Sequence, residues 1–439
     1  MIQARQPEVL PTPHVTSLRR NLSWIGVGNI VRGACQWGTL AALAKFGTVE
    51  MVGQYALGLA VTAPIMLLAG MQLNAVQITD AKGEFSFGDY LSLRSLSTLA
   101  ALVVVGVIVF ASGFRKETAL VVLLIGLSKA VDAIADVMLS AWQQREEMRV
   151  VSAVWMVNAV GSLLLAIVGL VLSGNVVWAV AGSAAGSALA LAVATVLTRF
   201  FPCGNGGASP PRWHLDRLRR LTVVALPLGG VVALLSLNVN VPRYFVQHYL
   251  GESALGLFAA AAYPMVLGDT LMSSLVQSAS PRMAKYHAAG DGAAFKALLI
   301  RLTLIGVLTG LAAVGVVLVA GRQILTWLYR PEYASQTAVF VWVVAAVSLR
   351  YAYVFIGVAV TAMRHFLVQF YLRVGIFLFL MAVSPLLIVR FGLLGGAIAL
   401  VIVTAVEGAV WLSIGYEYVW KWTRSSSSLA ASGAQAPGF

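Results

Sequence analysis

The amino-acid sequence predicts an all-α integral membrane protein, and composition and segment length are the two observations that predict it. Of the 439 residues, 59% are hydrophobic and only 11% are charged, whereas soluble domains are about half apolar and about a quarter charged. Apolar stretches such as 100–110 and 395–405 lie within segments of about 20 residues, the length that a helix needs to cross the hydrocarbon core. These segments of about 20 residues are too long and too continuously apolar for the strands of a β-barrel.

Hydropathy along the chain predicts about twelve spanning helices in two halves of six. The N-terminal half, 22–198, contains predicted spans at 22–46, 49–79, 90–113, 118–141, 150–173 and 176–198. The C-terminal half, 220–416, contains predicted spans at 220–241, 254–279, 297–320, 336–361, 366–389 and 392–416. Residues 1–21 form a predicted cytoplasmic tail, 199–219 a Pro- and Gly-containing linker, and 417–439 a tail that includes a Ser/Ala/Gly-rich segment expected to be disordered.

The distribution of basic residues predicts that both termini are cytoplasmic. If the N-terminus lies inside, the outer segments hold only Lys45, Arg115, Lys116, Arg243, Arg322, Arg330 and Arg390. Most other lysines and arginines then lie in cytoplasmic segments, as in proteins of an inner membrane. The net charge of +13 is therefore explained by anionic lipid headgroups and does not require nucleic acid.

Other classes of site find little support in the sequence. Cys35 falls in the first span and Cys203 in the linker, so neither a disulfide nor a metal site is expected. No Gly-rich loop precedes a Lys-Ser or Lys-Thr pair, so the chain is not expected to hydrolyse ATP or to need a cofactor. The polar N-terminal segment leads into a long and polar first span, which predicts a retained helix and not a cleaved signal peptide.

A weak internal repeat relates the two halves. Gly53-Gln54-Tyr55-Ala56 matches Gly256-Leu257-Phe258-Ala259 at an offset of 203, and Ala81-Lys82 matches Ala284-Lys285 at the same offset. Because each half has an even number of spans, the repeats are predicted to be parallel and related by a two-fold axis along the membrane normal. Transporters built in this way hold substrate between their halves. The alternative of a channel lacks a recognisable selectivity loop.

Ionisable residues within spans are the candidate functional residues, since each is costly unless it faces protein or water. Arg32 lies in an unusually polar first span, and we expect it either to line a wet cavity or to pair with a carboxylate. Lys129, Asp132 and Asp136 share one helical face in the fourth span. Lys129 and Asp132 are expected to neutralise each other, which leaves Asp136 as a possible proton carrier.

The tenth span carries a further cation, Arg350. If Arg145 and Arg364 are equivalent, Lys129 corresponds to position 348, which is close to Arg350. Asp269 and Glu407 are then the expected counter-charges, while Arg373 lies near the start of its span and is expected to snorkel. Cations in a wet cleft favour an anionic substrate.

Several short motifs resemble bacterial polysaccharide flippases, the Wzx-type polysaccharide transporter family, in order and in spacing. In the N-terminal half they are Phe46-Gly47, Gly53-Gln54-Tyr55-Ala56-Leu57, Ala63-Pro64, Gln143-Gln144-Arg145 and Glu147-Met148. In the C-terminal half they are Asn240-Val241-Pro242-Arg243-Tyr244, Leu250-Gly251-Glu252, Leu255-Gly256-Leu257-Phe258-Ala259, Ser280-Pro281-Arg282-Met283-Ala284-Lys285-Tyr286, Gly290-Asp291 and Phe295.

This resemblance implies membership of a superfamily that also contains multidrug antiporters and lipid II flippases. It implies a substrate in the form of an undecaprenyl-pyrophosphate-linked oligosaccharide, moved to the outer leaflet for surface polysaccharide synthesis. The implied partners are this lipid-linked oligosaccharide, membrane lipids, and polymerase and chain-length proteins of the same pathway. With that substrate, Arg32 and Arg350 are the predicted pyrophosphate ligands, and Lys129 is a weaker one. Asp269 and Asp136, followed by Glu407, are the predicted ion-coupling residues.

Two alternative functions stay open at this point. A multidrug or cation antiporter of the same fold would favour acidic residues in the cleft, which holds arginines here. A membrane-embedded polymerase or ligase would need reactive groups in an outer loop. The longest predicted outer loop, 322–335, has no His and no paired carboxylates, so a non-enzymatic transporter is the preferred interpretation.

Overall fold

A computed structural model of the protein describes residues 18–80, 83–200, 213–363 and 366–423. These residues form a bundle of α-helices without a β-strand, which confirms the all-α prediction. The helices are α1 (Leu18–Phe46), α2 (Val49–Gly70), α3 (Leu73–Thr79), α4 (Phe87–Ala111), α5 (Lys116–Gln144), α6 (Met148–Ser173), α7 (Val176–Phe200), α8 (Leu215–Ala262), α9 (Met265–Ala288), α10 (Gly292–Leu328), α11 (Thr337–Ala362) and α12 (Phe366–Ile414). Most of both predicted tails, much of the linker with Cys203, and Lys82 lie outside the described residues.

Within the described ranges, nine segments are long and apolar enough to span a membrane. Two helices, α8 with 48 residues and α12 with 49, are about twice the length of one span, and each contains one glycine with a left-handed φ, at Gly251 and Gly392. The chain folds back at Gly392. The reversal brings Gly395 so close to Leu387 that a β-carbon on Gly395 would lie only 2.0 Å from the Leu387 carbonyl oxygen. Eight residues of straight helix would separate these positions by about 12 Å. Such reversals fit the predicted span boundaries, although the count of twelve stays a prediction.

Several elements differ from their predicted boundaries, among them the second span and an outer loop. The second predicted span breaks between α2 and α3, where Met71 and Gln72 both adopt left-handed conformations. The outer loop predicted at 322–335 is much shorter, since α10 continues to Leu328 and a short 3-10 helix covers Pro331–Gln336.

The two halves meet at a reciprocal contact between glycines, which we call the glycine crossing. A β-carbon on Gly53 would lie 1.8 Å from the carbonyl oxygen of Glu252, and one on Gly256 would lie 2.1 Å from that of Val49. Val49 and Glu252 are 203 residues apart, as are Gly53 and Gly256. Exchanging the two halves therefore turns the first contact into the second, which is the pattern that a two-fold axis produces.

The later helices also correspond, at an offset of 218. α6 begins at Met148 and the first part of α12 begins at Phe366, and their left-handed glycines, Gly174 and Gly392, are separated by the same 218 residues. α5 and α11, which end at Gln144 and Ala362, share this offset. It replaces the offset of 219 inferred from Arg145 and Arg364, so the counterpart of Arg350 is Asp132 and not Lys129.

The largest apolar cluster joins the halves around the glycine crossing. It includes Leu40 and Tyr55 from the N-terminal half and Phe258, Tyr333 and Phe340 from the C-terminal half. This packing joins the halves at the predicted outer end, and a second apolar cluster that includes Met71, Tyr90 and Leu221 also joins them.

Candidate functional site

A polar pocket lies inside the N-terminal half, at the middle of five helices. Its volume is about 180 Å³, and α1, α2, α5, α6 and α7 surround it. Its polar lining consists of Arg32, Gln36, Thr39, Ser128, Lys129, Asp132, Asp136, Asn158, Ser162, Ser183 and Ser187. We call this cavity the N-half pocket.

Arg32 reaches the N-half pocket from α1 and is exposed. Its guanidinium carbon lies 5.4 Å from the centroid of the Trp155 ring, a cation–π contact that holds the charge without neutralising it. The salt bridges of the described residues do not include Arg32. Of the two roles expected for Arg32, the structure therefore favours the wall of a wet cavity over a structural ion pair.

Lys129 and Asp132 form the ion pair expected from their spacing. Lys129 Nζ lies 3.3 Å from Asp132 Oδ2, and the Asn158 amide donates to the other oxygen, Oδ1, at 2.8 Å. Both charges line the pocket but largely cancel there. Lys129 therefore offers less to an anion than Arg32 does.

Asp136 pairs with Arg94, a contact that the sequence analysis missed. Arg94 Nη2 lies 3.6 Å from Asp136 Oδ2. The same guanidinium donates from Nε to the Ala133 carbonyl at 3.0 Å and from Nη1 to the Gly70 carbonyl at 2.9 Å. Gly70 is the last residue of α2, so this arginine links the pocket carboxylate to the break between α2 and α3.

In the C-terminal half, Arg350 has the counter-charge predicted for it. Its guanidinium forms an ion pair with Asp269, to which the Tyr351 hydroxyl also donates at 3.1 Å. The side chains of Arg350 and Asp269 are 37% and 40% exposed. They are thus accessible, although neither lines the N-half pocket.

Glu407 pairs with a different residue from the one expected. Arg373 Nη1 donates to Glu407 Oε1 at 2.6 Å, and the Trp411 indole donates to the same oxygen at 3.3 Å. Arg373, for which snorkelling was expected, is instead held within the bundle by a carboxylate that is 7% exposed. Glu407 therefore does not neutralise Arg350.

A further interior cation, Arg243, was assigned to an outer segment by the sequence analysis. Hydropathy ended the seventh span at residue 241, but α8 runs unbroken to the kink at Gly251, so Arg243 lies about two turns before the kink. Its Nη1 donates to Asn240 Oδ1 at 3.0 Å, and no carboxylate of the described chain pairs with it. The Asn-x-x-Arg spacing in the Asn240–Tyr244 motif could have indicated that the helix continues through Arg243, since residues three apart share a helix face.

Hydrogen bonds reinforce the glycine crossing. The Gln54 amide donates to Glu252 Oε2 at 3.1 Å, and the Thr118 hydroxyl donates to Oε1 of the same carboxylate. Arg330 of the C-terminal half donates to the Lys45 carbonyl at 3.0 Å. These contacts cross between the halves at the predicted outer end and not at the depth of the N-half pocket.

A helical bundle with a charged and polar pocket at the middle of its spans has the architecture of a multi-pass membrane transporter. The sequence profile described as "Polysaccharide biosynthesis protein" matches residues 18–287. The chain belongs to this family.

One similar protein agrees with this assignment, and two solved structures have a similar fold. The capsular polysaccharide biosynthesis protein CapF of Staphylococcus aureus is 24% identical over 397 residues, which cover 87% of this chain and 95% of CapF. An inward-facing multidrug resistance MATE-family transporter of the MOP superfamily superposes with a TM-score of 0.73 at 12% identity, covering 92% of this chain and 99% of that one. The lipid II flippase MurJ, in an inward closed conformation, superposes with a TM-score of 0.71 at 12% identity, covering 93% and 91%. The two structures share the fold of this protein.

Proposed function

We propose that this protein flips an undecaprenyl-pyrophosphate-linked oligosaccharide from the inner to the outer leaflet of the bacterial inner membrane. Both termini lie in the cytoplasm in this proposal, and the halves alternate access around a central headgroup site. The observation that carries it is Arg32, an exposed mid-span cation over Trp155 at a polar pocket, which forms no salt bridge among the described residues.

Arg32 has the chemistry that a pyrophosphate headgroup requires. A guanidinium can donate two parallel hydrogen bonds to phosphate oxygens, which an ammonium group cannot reproduce. An unpaired cation at the middle of a span is costly, so its presence favours a function over a structural role. The exposure of Arg32 leaves the site partly hydrated, which keeps binding weak enough for release into the other leaflet.

Two other arginines contribute to the same site in this proposal. Arg243 adds a second cation without a carboxylate partner. Arg350 contributes by exchanging Asp269 for a phosphate, since that ion pair is accessible. Lys129, already paired with Asp132, contributes less.

The contacts of the pocket carboxylates weigh against a multidrug or cation antiporter. A cationic drug would need a free carboxylate, but Asp132 is engaged by Lys129 and Asn158, and Asp136 by Arg94. Of the four charged residues that line the pocket, Arg32 is the one that forms no salt bridge with the described parts of the chain. An anionic substrate fits this balance better.

Arg32 is tested by a leaflet-sidedness assay with a defined undecaprenyl-pyrophosphate oligosaccharide in reconstituted vesicles. We expect Arg32→Ala to slow flipping about 10- to 100-fold, as expected for the loss of a hydrogen-bonded charge contact of about 1.5–3 kcal/mol. Arg32→Lys should fall between Ala and the wild type. Arg390→Ala is the matched control, because Arg390 also lies over an aromatic ring, Phe391, but outside the pocket.

Unchanged flipping by Arg32→Ala at equal protein level would remove Arg32 from the headgroup site. Loss of membrane insertion in this variant would show that Arg32 is structural. If the wild-type protein fails to flip the lipid-linked oligosaccharide but moves a cationic drug, the antiporter alternative replaces the proposal.

A further inference from the structure

The N-half pocket contains more hydrogen-bonding groups than a phosphate needs. Beyond the charged residues, its walls carry the amides of Gln36 and Asn158 and the hydroxyls of Thr39, Ser128, Ser162, Ser183 and Ser187. Hydroxyls and amides can donate to a phosphate, but they lack the positive charge and the paired donors that a guanidinium brings. They are, however, the groups that bind neutral polar molecules, because they both donate and accept.

These polar groups already form a connected network. Ser162 Oγ donates to the Ser183 carbonyl at 3.0 Å and lies 3.4 Å from Asn158 Oδ1, while the Ser128 and Ser187 hydroxyls are 3.0 Å apart. The Asn158 amide holds Asp132. Each hydroxyl and the amide oxygen retain unused acceptor capacity, so a ligand could join the network without leaving a buried group unpaired.

The corresponding place in the C-terminal half shows that the fold itself does not require this polarity. At the offset of 218, Asn158, Ser162, Ser183 and Ser187 correspond to Ile376, Leu380, Val401 and Ala405. Ile376 and Leu380 are 5% and 2% exposed and pack in an apolar cluster with Val241 and Val403.

Packing alone would thus favour apolar residues in the N-half pocket as well. Polar groups in the middle of a membrane bundle cost free energy unless they are partnered. The C-terminal half holds interior ion pairs of its own, but these hydroxyls and amides have no polar counterparts at its equivalent positions, and this difference indicates a ligand.

The remaining wall of the pocket supplies an apolar surface beside the polar one. Trp155 and Tyr55 both line it, and Arg32 lies over Trp155. An aromatic face next to a set of hydroxyls and amides matches a pyranose ring, whose C–H face is apolar and whose rim carries hydroxyls. The Lys129–Asp132 pair keeps this part of the pocket close to neutral. No group of three potential metal-binding side chains occurs among the residues described.

We infer that the N-half pocket binds the sugar attached directly to the pyrophosphate and so contributes to saccharide specificity. This inference rests on the proposed function, because Arg32 places the pyrophosphate at the pocket that receives the sugar. Asn158, Ser162 and Ser187 contact the sugar hydroxyls, and Trp155 contacts its apolar face. The C-terminal half takes no equivalent part.

The test is equilibrium binding to the full-length protein in lipid nanodiscs. The probes are undecaprenyl pyrophosphate and the same lipid carrying one hexose, one N-acetylhexosamine or one hexuronic acid. We expect the wild-type protein to bind at least one sugar-bearing lipid about 10-fold more tightly than the bare lipid, as two or three net hydrogen bonds of this kind would give. The single variant Asn158→Leu and the double variant with Ser162→Ala and Ser187→Ala should each abolish this difference. Both should leave the affinity for bare lipid unchanged.

Two controls separate this inference from the proposed function. Arg32→Ala should weaken binding of bare and sugar-bearing lipid by the same factor, and Asn238→Leu, an asparagine replacement in the C-terminal half, should change neither. Binding of bare lipid by each variant shows that it is folded. If the wild type binds bare lipid but no sugar strengthens binding, or if Asn158→Leu keeps the full difference, the inference is overturned and the proposed function stands. If the wild type binds none of the four lipids, both are overturned.

Discussion

The interior charges follow a simple balance at the level of single residues. Four carboxylates, Asp132, Asp136, Asp269 and Glu407, each have a basic partner. Arg32 and Arg243 have no carboxylate partner within the ranges described. Because an isolated charge in a span is costly, these two arginines motivate the anionic substrate of the proposed function.

The two carboxylates of the C-terminal half should respond differently to neutralisation. Asp269 is 40% exposed beside Arg350, whereas Glu407 is buried between Arg373 and Trp411. Removing one partner of a buried ion pair costs about 3–5 kcal/mol, but an exposed pair contributes about 0–1 kcal/mol. We therefore expect Glu407→Gln to lower the melting temperature in detergent clearly and Asp269→Asn to leave it nearly unchanged.

The same two variants separate structure from transport. Asp269→Asn should alter flipping through Arg350 at a normal melting temperature. If the melting temperature of Glu407→Gln equals that of the wild type, Glu407 does not stabilise the fold. Glu407 would then return as a candidate for ion coupling.

At the level of helices, the glycine crossing allows α2 and the second part of α8 to approach within backbone contact. Side chains at Gly53 or Gly256 would overlap the carbonyl groups of Glu252 and Val49. Gln54 and Thr118 then bind the Glu252 carboxylate across this contact. A larger residue at the crossing should therefore push the halves apart at the predicted outer end.

Gly53→Leu is the variant that tests this consequence. In a background without the native cysteines, a cysteine replacing Ala56, which is 3% exposed, should react faster with a membrane-impermeant maleimide when Gly53→Leu is present. Gly106→Leu is the control, since a β-carbon there meets nothing within 4 Å. Equal labelling in all three proteins would show that the crossing tolerates a side chain.

The helices could be predicted from the sequence more fully than the site. Spans follow from local hydropathy, so most predicted boundaries lie within a few residues of the helices. The break at Met71 and Gln72 was not predictable, because neither residue is a glycine and the Gly70 carbonyl beside it is bound by the distant Arg94. Lys129 and Asp132 could be paired because they lie one turn apart. Arg94 and Asp136 could not, since only the packing of α4 on α5 brings them together.

For the molecule as a whole, the two-fold relation holds for the scaffold but not for the proposed binding residues. The glycine crossing obeys the 203-residue offset, but the counterparts of Arg32 and Arg243 at this offset are Leu235 and Leu40. Leu40 is fully buried in the apolar cluster between the halves. The halves thus share a scaffold related by a common axis, while the N-terminal half carries the polar pocket.

This asymmetry leads to a prediction about energy coupling. The chain shows no nucleotide-binding motif, so transport against a gradient would need an ion gradient. Asp269 and Asp136 are the leading predicted coupling residues, and of these two we expect Asp136 to carry the coupling. Its partner Arg94 also binds the end of α2 at Gly70, and α2 carries the glycine crossing. Protonation of Asp136 would release Arg94 from the carboxylate. Because Arg94 also binds the end of α2, this release would alter the position of α2 at the glycine crossing.

We expect wild-type flipping in vesicles to slow when both proton and sodium gradients are collapsed. Asp136→Asn, which mimics the protonated carboxyl, should flip at one rate with or without gradients because its link to Arg94 no longer responds to protons. Asp216→Asn, at the first turn of α8 and away from the pocket, should retain the wild-type dependence. Full wild-type activity without either gradient would contradict coupling altogether. A gradient-dependent Asp136→Asn would instead transfer the role to Asp269, which is the next accessible carboxylate.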